Sequence, residues 1–495
     1  MSLAFVNGVV WRPGERPATA VACSGERIAS IGSDAEVRAL INKDARVIDA
    51  RGGTIMPAFN DAHVHFLMGS RSLGELDLFG VTSEAEVEER ITGYVRDHAG
   101  DWVVGRGWFY SAFQGGMPSV ELLDRLIPDR PAYLESFDAH TGWANSRALA
   151  IAGVSERDVL KEAAMYTVTR HIPPRTVEAE LDALRAGMKM AASRGVGSVQ
   201  EAGDGWDQLR FWDALREAGD LTLRIRLGFD MSPNWDESEW LRRLDIYEEV
   251  ARARARDLWI KSGIVKAFAD GVVESKTASM LHPYEGDADD RGAPLWPGDK
   301  LARHARIASE RGWQVQVHAI GDAAIRQTLD AFQGAARDRR HRVEHIECPD
   351  PAEIDRFGEL DVIASMQPQH AAPALTEVWH RHLGRARASR GWPWKRILAS
   401  GARLAFGTDW PVVPLDPFAS LFEAMKTLSL EEAVAGWTSG AAYAEHAETI
   451  KGALRPGMLA DMVVLDRDIN RAPADEIART KVEATAVGGR LVYEA

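Results

Sequence analysis

The period of the apolar positions changes along the chain. From residue 1 to about 57, branched residues alternate or cluster in LAFVNGVVW, TAVACSGERIASIG and ARVIDARGGTIMP. Asn-Gly, Ser-Gly and Gly-Gly turns separate these runs, which is the signature of short paired strands. The same style returns near the end in ADMVVLDRD and ATAVGGRLVYEA, around a helix-like ADEIARTKVE. Residues 1–57 and 452–495 are therefore expected to form one composite β-sandwich. Between them, over 58–451, strand-like runs alternate with helical stretches: GVGSVQEA, LTLRIRLGF, WIKSGIVKAFADG, WQVQVHAIGD, HRVEHIE, DVIASMQPQH and ARLAFGTDWP. A strand-then-helix order repeated about eight times predicts an α/β fold, a (β/α)8 TIM-type barrel, with a doubly wound open sheet as the alternative. An aromatic-rich segment at about 70–175 breaks the alternation and reads as an insertion covering the barrel mouth.

Composition removes several function classes. The 495 residues are 45% hydrophobic and 27% charged, which suits one large barrel with a smaller companion. The 73 acidic against 59 basic residues give a net charge of -14, so the electrostatic footprint of a nucleic-acid binder is missing. Two cysteines, Cys23 and Cys348, cannot build a disulfide framework or a cysteine zinc site. No secretory leader and no apolar run of about 18 residues is visible. The expectation is a cytoplasmic protein that acts on a small molecule, with no membrane or nucleic-acid partner, and assembles as a homodimer.

Candidate chemistry begins in GTIMPAFNDAHVHF, where His63 and His65 stand two apart in a strand-like run and share a face. Alone the pair is weak, since 14 histidines in 495 residues supply roughly 0.4 such pairs by chance. A second pair, His380 and His382, lies in a polar, helix-prone stretch and reads as solvated surface. Company gives the first pair its weight: His318 ends one predicted strand and His345 the next, and barrel enzymes keep their chemistry at strand carboxyl ends. Imidazole is the commonest ligand for zinc and similar ions. Asp409, after the last strand in LAFGTDWP, reads as a metal-bound carboxylate that takes the proton of an attacking water, or else as a turn or cap residue. Lys266 sits in the apolar run SGIVKAFADG. Its amine either pairs with Asp270 or Glu274, or reacts with carbon dioxide to give a carbamate that bridges two metals. Asp61 could support a ligand from behind, Gln369 and His370 read as polar groups of the pocket, and Asp322 as a helix cap.

The motifs PAFNDAHVH, FDAHTGWANSRAL, VKAFADGVVESKTA, VHAIGDAAI, RVEHIE, SMQPQH, GTDWP and KGALRPGMLADMVVLD resemble the amidohydrolase superfamily, specifically the amidohydrolase-3 group that includes YtcJ-like proteins and N-substituted formamide deformylase. The resemblance implies the barrel and the β-sandwich, and a site for one or two divalent metals, usually zinc, with Mn2+ or Fe2+ as options. It implies that His63, His65 and Asp409 hold the first metal and His318 and His345 the second, bridged by Lys266 as an N6-carboxylated lysine. It places His140 and Trp143 against substrate, with buried aromatic packing an equally ordinary role for Trp143. The implied reaction is hydrolysis of a carbon–nitrogen bond other than a peptide bond: an amide, an N-acyl or N-formyl amine, or a cyclic amide. Isomerisation, epimerisation or decarboxylation on the same metal site is the alternative, ahead of a non-catalytic binding role. Two departures stand out: Asp138-Ala139-His140 where the family often has Asp-Gly-His, and a shortened loop after AGVSERD.

Overall fold

The computed structural model describes residues 3–155, 157–203 and 205–495. Eight parallel strands follow one another around a single sheet: β1 (Phe59–Val64), β2 (Val196–Glu201), β3 (Arg224–Asp230), β4 (Ile260–Phe268), β5 (Gln314–Ala319), β6 (Arg342–His345), β7 (Ile363–Met366) and β8 (Leu404–Phe406). The chain beyond β8 returns to β1, where Asp409 N–H donates to the His63 carbonyl at 2.7 Å and His65 N–H to the Trp410 carbonyl at 2.9 Å. The barrel, rather than the open sheet, is thus the fold. Gly407 makes this closure possible. A Cβ there would lie 2.4 Å from the His63 nitrogen and 2.6 Å from an Asp61 oxygen.

Helices between strands, among them Leu209–Ala218, Glu237–Ala253, Lys300–Glu310 and Asp322–Phe332, cover the outside. Alternation decides what faces them. In β5, Val315, Val317 and Ala319 join the apolar layer beneath the helices, while Gln314, Gln316 and His318 point inward. The barrel interior is consequently a hydrogen-bonded column. Arg342, fully buried, donates to Gln200 Oε1, the Ala62 carbonyl, Ser365 Oγ and Glu344. Every donor so used removes a desolvation cost that an unpaired guanidinium would carry.

Both chain ends contribute to one smaller unit. Leu3–Val6, Ala20–Ser24, Arg27–Gly32 and Arg46–Asp49 form a four-stranded sheet. Val9–Val10 and Thr54–Pro57 pair in a second sheet with Met462–Leu465, Val482–Val487 and Arg490–Glu494. Phe5, Val21, Ile55, Met462 and Ala484 share a single core between the two sheets. The segment between β1 and β2 builds a further five-stranded sheet from Leu76–Asp77, Val103–Trp108, Ala132–Ser136, Thr141–Ala144 and Leu160–Lys161. Its core continues into residues of the barrel loops, including Val272, Ile320, Leu375 and Val412, so this layer sits on the barrel mouth. Among the described residues, no helix is long and apolar enough to cross a membrane.

Candidate functional site

At the carboxyl ends of the strands, four imidazoles converge on Asp409. Its Oδ1 lies 3.3 Å from His63 Nε2 and 3.5 Å from His65 Nε2, and its Oδ2 lies 3.8 Å from His370 Nε2 and 3.9 Å from His345 Nδ1. Backbone geometry aims two of these groups. Strict alternation after Arg342 and Glu344 would turn His345 outward, but left-handed φ angles of 72° at His345 and 53° at Ile346 redirect the chain, and Asp409 has φ 62°. Non-glycine residues held in that region cluster at functional sites. Burial alone would raise the pKa of Asp409; the neighbouring imidazoles of His63, His345 and His65 instead pull it well below the ordinary carboxylate range. Burial, reinforced by neighbouring histidines, holds His318 and His345 well below the usual imidazole value, so both stay neutral.

Behind this cluster stands a residue that the sequence reading passed over. His63 Nδ1 meets Glu344 Oε2 at 2.5 Å, inside the barrel, and Gln316 Nε2 at 3.3 Å. Burial would raise the pKa of Glu344, yet Arg342 and His63 bring it down to about 2, so it is a full carboxylate. The hydrogen bond fixes the His63 ring with Nε2 turned to the site. Asp61 acts differently from the expectation. It accepts from the His63 backbone N–H at 3.2 Å, from Thr408 N–H at 3.0 Å and from Thr408 Oγ1 at 2.6 Å, so it fastens β1 to the β8 loop rather than touching an imidazole.

The other anticipated residues divide. His318 lies beside His345, with ring centroids 4.4 Å apart, but its Nε2 contacts the Gly271 carbonyl at 3.1 Å. His345 groups instead with Glu347 and His370, whose potential ligand atoms all lie within 4.8 Å of one another. Lys266 is 2% exposed, with its amine 4.4 Å from the Phe268 ring centre. The carboxylates once weighed as its partners have other work: Asp270 accepts the N–H groups of Ser279, Ile320 and Gly321, and Glu274 accepts from Trp379 Nε1. His140 is held by Glu162 at 3.0 Å; burial would lower its pKa, but the charge and hydrogen bond of Glu162 raise it to about 9. His370 lines the cavity beside Asp409 and donates or accepts at Glu347 Oε1 over 2.7 Å.

Three expectations need correction. Trp143 is fully buried against Phe113 and donates to the Ser119 carbonyl at 2.8 Å, so it packs the covering layer and does not line the cavity. Gln369 donates to the carbonyls of Pro414 and Asp416, each at 3.1 Å, and braces the loop after β8. Asp322 is inside its helix, where Gly321 is the capping position, and accepts from Leu281 N–H at 2.7 Å. Of the second histidine pair, His380 is exposed as anticipated, whereas His382 is half-buried and meets the Val273 carbonyl at 2.9 Å.

His63, His65 and Asp409 each offer a ligand atom within 4.8 Å of the others. Moreover, His63 Nε2, His345 Nδ1, His370 Nε2 and Asp409 Oδ1 are buried without a hydrogen-bond partner among the described residues. Buried polar atoms are rarely left so, and nitrogen and carboxylate donors gathered around one point are the donor set of zinc and similar divalent ions. A parallel barrel with such a cluster at its strand carboxyl ends has the architecture of a metal-dependent barrel enzyme. The chain belongs to the amidohydrolase family, whose model matches residues 46–493. Protein LONG AFTER FAR-RED 3 of Arabidopsis thaliana is 29% identical, over 96% of this chain and 88% of that one. N-substituted formamide deformylase of Arthrobacter pascens is 25% identical, over 96% and 95%. The solved structure of an uncharacterized metal-dependent hydrolase from Pyrococcus furiosus superposes with a TM-score of 0.76 at 27% identity, covering 94% of this chain and 99% of that one. Family and neighbour both point to hydrolase chemistry.

Proposed function

We propose that this protein is a metal-dependent hydrolase of carbon–nitrogen bonds other than peptide bonds, acting on an amide or an N-acyl or N-formyl amine. The observation that carries the reading is the convergence of His63, His65, His345 and His370 on Asp409, with His63 Nε2, His345 Nδ1 and His370 Nε2 buried without a hydrogen-bond partner among the described residues. His63, His65 and Asp409 would hold a divalent ion, zinc by donor type. The ion, when bound, lowers the pKa of a water molecule to near neutrality and polarises the scissile carbonyl. Asp409 takes the proton from that water. As the water oxygen bonds to the carbonyl carbon and the carbon–nitrogen bond breaks, Asp409 returns the proton to the leaving nitrogen, so an acid and an amine result. Lys266, buried on β4, would be the residue carboxylated and would then help to hold a second ion. The Arthrobacter relative, named for deformylation of N-substituted formamides, supports the N-formyl member of the substrate class.

The test is to load purified protein with zinc or manganese and offer a panel of N-acyl and N-formyl amines, following product mass. Hydrolysis splits the substrate and adds one water. His63→Ala should lose bound metal and reduce turnover by about 100-fold or more. Equal turnover in that variant, or products isomeric with the substrate, would overturn the reading. Intact-mass detection of carbon dioxide on Lys266 checks the bridge separately.

A further inference from the structure

We infer that the pocket beside Asp409 selects substrates carrying a positively charged amine, and that Asp138 and Glu274 are the side chains that receive it. The inference rests on the hydrolase reading only in placing the scissile bond at Asp409. The cavity there, about 30 Å³, has an apolar wall that includes Phe137, Leu375 and Val412, and four acidic side chains: Asp138, Glu274, Glu347 and Asp409. Among the described residues, no lysine or arginine lines it.

Two of the four acids are already occupied. Asp409 faces the histidines, and Glu347 bonds His370 at 2.7 Å. Asp138 is different. It is 94% buried by its 6% exposure, and its Oδ1 accepts from His140 N–H at 3.0 Å, from Tyr110 at 3.3 Å and from Ser136 Oγ. Its Oδ2 is buried with no hydrogen-bond partner among the described residues. A carboxylate kept only for packing would not leave one oxygen without a donor. Glu274, from the VVESKTA stretch after β4, is oriented by Trp379 Nε1 at 2.8 Å. Together with Phe137 and Leu375 it also borders a smaller outer cavity near Tyr110 and Val378, so it stands where the distal part of a substrate would lie.

The carboxyl groups of Asp138, Glu274 and Glu347 repel one another. Burial first, then the charges of Glu347 and Asp138, raise the pKa of Glu274 to about 8. A cation between these carboxyl groups removes the repulsion, whereas an anionic substrate adds to it. The nearby cation His140 shares its charge between Glu162, its hydrogen-bond partner at 3.0 Å, and Asp138, and leaves Glu274 without a counter-charge of its own. Phe137 adds an aromatic ring to the same wall, and such rings attract ammonium groups.

The experiment compares monoacetylated and monoformylated linear diamines with the same amides of n-alkylamines of equal length, using zinc-loaded protein. The ratio of kcat/KM, cationic over neutral, should exceed about tenfold in the native protein and fall toward one in Glu274→Gln. Asp138→Asn, which keeps the outline of the side chain, should lower the same ratio if Glu274→Gln fails to fold. A second arm needs no turnover: free diamines should raise the Tm of the zinc-loaded protein more than n-alkylamines do, and Glu274→Gln should abolish that difference. Equal ratios in native protein and variants, or equal Tm shifts for the two amines, would overturn the inference. If no amide is cleaved, the hydrolase reading falls, while the binding arm still decides this one.

Discussion

His63 owes its orientation to Glu344, and this pair shows how far a motif can mislead. In RVEHIE the histidine draws attention, yet the glutamate before it points into the barrel and reaches across to the first strand, 281 residues earlier. Hydrogen bonds from Arg342 keep Glu344 a working carboxylate, the guanidinium and His63 drawing its pKa down to about 2 against the effect of burial. Replacing it with glutamine leaves volume almost unchanged but weakens the acceptor that fixes the imidazole. Glu344→Gln should therefore lower metal affinity by about 10–100-fold, measured by competition with a coloured chelator, while far-UV circular dichroism stays unchanged. Unaltered affinity would show that the ring is held by packing alone. The histidines and Asp409 were legible because their types and strand-end positions carry the signal. Trp143 and Gln369 were not, because a residue's type does not reveal whether it faces a cavity or a neighbour's carbonyl.

Strand β5 shows what periodicity can deliver. QVQVHA alternates, and alternation alone assigns Val315 and Val317 to the helices and Gln316 and His318 to the interior. Periodicity was silent on the left-handed turn at His345, which breaks the rule, and on the five-stranded layer over the mouth, whose strands are short and interrupted by turns. The junction between β5, β6 and the helix Lys300–Glu310 makes a pH prediction. His341 accepts from Val315 N–H through Nδ1 at 3.0 Å and donates through Nε2 to Ser309 Oγ at 3.1 Å, so it must be neutral. Burial lowers its pKa from 6.5 to about 4. Because the folded value is below the unfolded one, the unfolded chain binds the extra proton, and stability is lost as pH falls from about 6.5 to about 4. The loss is on the order of 3 kcal/mol. Chemical denaturation across that window should show a shallower dependence in His341→Gln; an identical slope would exclude this residue as the source.

The barrel and the two-ended sheet unit are joined by charge as well as by apolar contact. Arg224 of β3 makes two hydrogen bonds to Asp461 at 2.7 and 3.0 Å, with both side chains over 90% buried. Asp461 also accepts from Gly488 N–H in the last hairpin. Arg224→Met would strand that carboxylate, and unfolding free energy should drop by about 3–5 kcal/mol, whereas the double replacement with Asp461→Leu should recover part of it. A single-variant loss under about 1 kcal/mol would mean that the pair is solvated. The sequence by itself determined the order of strands and helices, the barrel class and the residue types able to hold a cation, because these follow from local period and from donor chemistry. Tertiary structure alone decided which oxygens and nitrogens meet, which tryptophan is core, and that Glu344, Asp138 and Glu274 border the site, because these depend on contacts between separate segments, in the case of Glu344 and His63 hundreds of residues apart, and on a few backbone angles that no local pattern encodes.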